Sequence, residues 1–89
     1  MHTSIVSFLD YLKRQRQASP HTLRSYQDDL EVFSHFLEEI QVAGADPTVV
    51  DSAGLRRYAA WLNSQGYAAT TIARRLASLR SFFRYLRRQ

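Results

Sequence analysis

Apolar residues in the last third of this chain recur as Ile72, Leu76, Leu79, Phe83 and Leu86, the a and d spacing of an amphipathic helix. At about 100° per residue they fall on one side of a helix over about 70–87, joined there by Phe82. The same period appears three more times. Ile5, Phe8, Leu9 and Leu12 stand at i, i+3, i+4 and i+7 in a segment over about 4–15. Leu23, Tyr26, Leu30, Phe33, Leu37 and Ile40 carry a stripe over about 20–41, and Leu55, Tyr58, Ala59 and Leu62 one over about 52–65. Strand-like alternation, low-complexity tracts and internal repeats are lacking. Four apolar stripes in 89 residues with 45% apolar content predict an all-α fold, a compact four-helix bundle around one core.

Punctuation supports these boundaries. Ser19-Pro20 is a helix start, because serine caps the free N–H groups and proline tolerates the first helical position. Gly44 is placed to stop the second helix, and Asp46-Pro47 lies in the connector that follows. Asp51 is the expected cap of the third helix, and Gly66 its stop.

The charges split into two unlike halves. All eight acids lie at or before Asp51, with four bases among them, so the first part carries −4. From Ser52 to Gln89 there are eight arginines and no carboxylate, which gives +8 and the total of +4. Such a segment cannot neutralise itself along its own helix, so its field is open to an external polyanion. Arginine outnumbers lysine eleven to one, a bias suited to forked contacts with phosphate and guanine.

On the fourth helix, Thr70, Thr71, Arg74, Ser78, Ser81 and Tyr85 lie largely opposite the apolar stripe, with Arg75 at its border. Arg80, Arg84 and Arg87 form a second basic row. A helix built for stability alone would intersperse glutamates, since like charges one turn apart repel. Small hydroxyls between guanidinium groups instead allow close approach to phosphates and base edges. The second helix opens with Ser19-Pro20-His21-Thr22, then Arg24 and Ser25, with no acid. Its first turn is a natural phosphate seat, whereas Asp28, Asp29 and Glu31 further on would repel a nucleic acid.

Catalytic constellations are missing from the sequence. His2, His21 and His35 lack metal-ligand spacing, no phosphate loop or nucleophile motif occurs, and no cofactor is implied. The five tyrosines are expected to pack with their hydroxyls at the surface. Absence of cysteine excludes disulfides and thiolate metal sites. With no charged, apolar leader and no run near the roughly 18 apolar residues of a membrane span, a soluble cytoplasmic domain is expected.

Two stretches resemble a known family. Ser19-Pro20-His21-Thr22-Leu23-Arg24-Ser25-Tyr26-Gln27-Asp28-Asp29-Leu30 is similar to the S-x-x-T-L-x-x-Y-x-x-D-L opening found in the N-terminal domain of tyrosine recombinases of the phage integrase and Xer type. Thr71 to Leu86 resembles that domain's last helix, T-I-x-R-x-L-S-A-L-R-x-F-Y-x-Y-L. The likeness runs from about Ile5 to Arg88. There are two departures from the pattern: Ala77-Ser78 inverts the usual order, and Gly54 stands where an acid is common.

The resemblance implies a SAM-like four-helix core-binding domain forming half of a clamp around double-stranded DNA, alongside other recombinase protomers. Its second and fourth helices address the major groove. Carried onto this sequence, the DNA-binding candidates are His21, Thr22, Arg24, Ser25, Thr70, Thr71, Arg74, Arg75 and Ser78. The family's catalytic residues belong to a further domain, so 1–89 is expected to be one non-catalytic DNA-binding domain, monomeric when isolated. A helix-turn-helix regulator and a SAM-like protein-interaction module are the competing readings. The first needs a shorter turn than 44–50, and the second needs an exposed apolar patch.

Overall fold

The computed structural model describes residues 2–39 and 52–88. Those residues form four α-helices: α1 (His2–Gln15), α2 (Pro20–Glu39), α3 (Ser52–Ser64) and α4 (Ala69–Arg87). The expected all-α bundle is therefore observed, with helix ends within two residues of those read from the stripes wherever both can be compared. α1 begins at His2 rather than residue 4, α3 ends at Ser64, and α4 begins at Ala69. The expected end of α2 at 41, Ile40, Gly44, Asp46-Pro47 and the Asp51 cap lie outside the described residues.

Local chemistry accounts for the described ends. The Ser19 hydroxyl accepts the Thr22 N–H at 3.1 Å, the N-cap bond expected of serine at that position. α3 closes with Gly66 at φ 88, where an L side chain is disfavoured. Around it, Tyr67 N–H donates to the Leu62 carbonyl and Gly66 N–H to the Asn63 carbonyl, a Schellman closure. The α1–α2 turn reaches the left-handed region at Gln17, φ 51, although it has no glycine.

The core draws on every helix. Phe8 of α1, Leu30 and Phe33 of α2, Tyr58 and Leu62 of α3, and Leu79 and Phe82 of α4 are at most 1% exposed. Each of these leucine and phenylalanine side chains contributes about 1.5–3 kcal/mol relative to exposure. Aromatic edges interlock the layers. Phe8 meets Phe82 at 5.4 Å between centroids, and Phe33 meets Tyr58 at 5.0 Å.

α4 packs against α1, α2 and α3. A helix with three neighbours buries more than one stripe, and that decides the fate of its polar face. Ser78, expected outward, is buried at 7% exposure against α2. Its small side chain lets the two helices approach. Tyr58 is a second correction: its hydroxyl is buried rather than at the surface and finds no hydrogen-bond partner among the described residues. Burial pushes that phenol's pKa up, and the nearby Arg75 charge only partly opposes it.

Candidate nucleic-acid interface

Asp29 organises the seam between α2 and α4. It sits three residues after Tyr26 and four before Phe33, on the apolar side of α2, and is 1% exposed. A carboxylate so placed is tolerated only with close partners. α4 supplies three. Arg74 Nη2 donates to Asp29 Oδ1 at 2.8 Å, Arg75 Nη1 donates to the same oxygen at 3.2 Å, and the Ser78 hydroxyl donates to Oδ2 at 2.6 Å.

The two arginines are not equivalent. The Arg75 side chain is 10% exposed, whereas that of Arg74 is 52% exposed. Arg75 is further held by Tyr67, whose ring centroid lies 4.8 Å from the guanidinium carbon. Its Nε is buried without a partner among the described residues. Arg75 is thus an internal strut, and Arg74 reaches from the same carboxylate to the surface. One acid against two guanidinium groups leaves the cluster with one positive charge in excess.

Above this cluster lies a cavity of about 260 Å³, lined by the start of α2 and one side of α4. Five of the nine sequence candidates line it: His21, Thr22, Ser25, Arg74 and Ser78. Arg24, Thr70 and Thr71 do not line this cavity; Arg24 and Thr70 are exposed, and Thr71 is half-buried. Arg75 lines a separate depression with Trp61 and Tyr67. Tyr26, Asp29, Ala77 and Ser81 also line the cavity and were not among the candidates. The acid on the apolar stripe of α2 was the available signal for Asp29, since such a residue must find a cation on a neighbouring helix.

Neither helix start next to this seam carries an acid in its first turn. Ala68 caps α4 without a side-chain hydrogen bond, leaving the first-turn N–H groups open to an outside acceptor. The cavity therefore combines an exposed guanidinium, small hydroxyls and the positive dipole end of α2 above the paired Asp29, a set suited to phosphate oxygens and base edges. Among the described residues, no group of three or more histidines and acids has metal-binding geometry, and no helix is long and apolar enough to cross a membrane.

The family model for the phage integrase N-terminal SAM-like domain matches residues 5–89. The chain belongs to that family. Curated relatives of this phage integrase SAM-like domain include the tyrosine recombinase XerC of Lacticaseibacillus casei, 43% identical over 84 residues, covering 94% of this chain and 28% of the relative. XerC of Azotobacter vinelandii is 41% identical over 91 residues, covering 100% of this chain and 29% of its own length. XerC of Staphylococcus haemolyticus is 39% identical over 80 residues, covering 90% of this chain and 26% of the relative. The chain thus spans less than a third of the length of these relatives. No solved structure gives a significant match.

Proposed function

We propose that the chain is the DNA-binding N-terminal domain of a site-specific tyrosine recombinase. It grips one arm of a core recombination site through the start of α2 and the exposed side of α4. The observation that carries this reading is the cavity on which His21, Thr22, Ser25 and Arg74 converge from two helices. Arg24, Thr70 and Thr71 extend the contact surface around it. Arg75 and Ser78 take a positioning role, holding Asp29 so that Arg74 is presented outward.

Strand cleavage belongs, in this reading, to the portion of the relatives that the chain does not match. The chain alone is expected to bind duplex without forming a covalent adduct on a nicked suicide substrate. Other protomers of the recombinase would be its partners on DNA. The competing adaptor reading calls for an exposed apolar patch, and Val6 is the exposed large hydrophobic among the described residues. An isolated side chain is a poor docking surface.

Titration of labelled duplex at several salt concentrations tests the proposal. Kd on the order of 10⁻⁴ to 10⁻⁶ M is expected at physiological salt, tightening steeply as salt is lowered. Affinity indifferent to salt, or none at low salt, would overturn it.

A further inference from the structure

A second cavity, of about 410 Å³, opens where α1, α2 and α4 meet, with Phe8 in its wall. Three guanidinium groups border it: Arg16 from the α1–α2 turn, and Arg84 and Arg88 from the end of α4. All three residues are exposed, and none forms an ion pair with another described residue. Arg14, two positions before Arg16, is by contrast bound to Asp10 at 2.8 Å. Among the described residues, the cavity lining contains no carboxylate. Three like charges around one concavity repel each other, so the arrangement suits an anion supplied from outside.

The backbone helps to bring them together. Gln17 takes a left-handed φ of 51, which costs a residue with a side chain about 1–2 kcal/mol. The N–H groups of Arg16 and Ala18 both return to the Leu12 carbonyl, and this turn sets Arg16 facing the end of α4 across the cavity. Hydroxyl donors complete the set. Thr22 Oγ1 accepts the Ser19 hydroxyl at 3.0 Å, which leaves its own O–H to donate, and Ser81 lies on the opposite wall. Guanidinium forks with hydroxyl donors, and no competing acid among the described residues, are the chemistry of a phosphate seat.

We infer that this cavity binds a phosphate group, as an anion site that adjoins the one proposed above and shares Thr22 and Ser81 with it. A phosphodiester of duplex DNA and free inorganic phosphate offer the same oxygens to it. The duplex source rests on the proposed function; the inorganic source does not.

The test follows backbone amides and arginine Nε–H signals of the 89-residue chain while sodium phosphate replaces sodium chloride at constant ionic strength. Arg56→Ala, an exposed change on α3, serves as the control. Saturable shifts at Arg16, Ala18, Arg84 and Arg88 are expected, weakened at least fivefold by Arg16→Ala and unchanged by Arg56→Ala. With duplex, Arg16→Ala is expected to weaken binding about three- to tenfold and to lower the salt slope by about 0.9, one phosphate contact. Phosphate shifts lost in Arg16→Ala with duplex binding unchanged would support the seat and assign it to free phosphate. If the parent chain binds no duplex, the proposed function fails while the phosphate titration still decides the seat. Shifts that do not saturate, or that Arg56→Ala alters as much as Arg16→Ala, would overturn the inference.

Discussion

The Asp29 carboxylate and the Arg75 guanidinium meet at 3.2 Å across 46 positions of sequence, both buried, and so pin α2 to α4. Ser78 closes on the second carboxylate oxygen at 2.6 Å. This contact couples stability to the candidate interface, because Arg74 shares Oδ1 with Arg75 and is the member that reaches solvent. Asp29→Ala leaves Arg75 buried without its counter-charge, a loss of about 3–5 kcal/mol. For a domain whose total stability is about 5–15 kcal/mol that is a large fraction. Urea unfolding is expected to show the midpoint fall steeply for Asp29→Ala. Arg74→Ala, at a half-exposed site with Arg75 and Ser78 remaining, is expected to cost under about 1 kcal/mol.

The same asymmetry predicts how DNA binding divides. Arg74→Ala is expected to cost about 1–3 kcal/mol on a cognate site and less on random duplex, the pattern of a base contact. Arg84→Ala is expected to weaken both duplexes alike and to lower the salt slope by about 0.9. Anisotropy titrations of both variants on both duplexes separate the two roles. Equal losses on both duplexes for Arg74→Ala would make it a backbone contact instead.

Much of this was legible in the sequence, and the limits have a definite cause. The stripes of Ile5–Leu12, Tyr26–Phe33 and Ile72–Leu86 are local patterns, and they located the helices and most of the core. The Ser19 cap and the Gly66 stop are equally local. Ser78 was misplaced because a single helical wheel has one inside, whereas α4 has three neighbours. Asp29 was legible in principle, as an acid on an apolar stripe, but only the tertiary pairing identifies Arg74, Arg75 and Ser78 as its partners. The Tyr58 hydroxyl followed the general tendency of tyrosine, which the crowding by Phe33 and Phe36 overrides at this position.

Tyr58 supplies a pH prediction. Its folded pKa is raised above the unfolded value near 10, so the protonated phenol is favoured in the native state. The associated stability is fully present below about pH 10 and is lost as pH rises toward the folded pKa. Tyr58→Phe removes that alkaline loss. It is expected to change stability at neutral pH by less than about 1 kcal/mol, because the hydroxyl has no partner to forfeit among the described residues. Thermal unfolding of both proteins at pH 7 and above pH 10 checks the difference, with the parent losing more on the alkaline side.

Gly66 isolates a backbone effect. A Cβ there meets nothing within 4 Å, so a substitution adds no clash and only the strain of φ 88. Gly66→Ala is expected to destabilise by about 1–2 kcal/mol, read from the urea midpoint with an unchanged slope.

Mapping amide shifts on addition of duplex tests the interface most directly. The account predicts that the largest changes cluster at His21–Ser25 and Thr70–Arg74, with Arg75 and Ser78 moving less because they stay bound to Asp29. Changes concentrated on α1 and α3, with the α2 start and α4 unmoved, would contradict it.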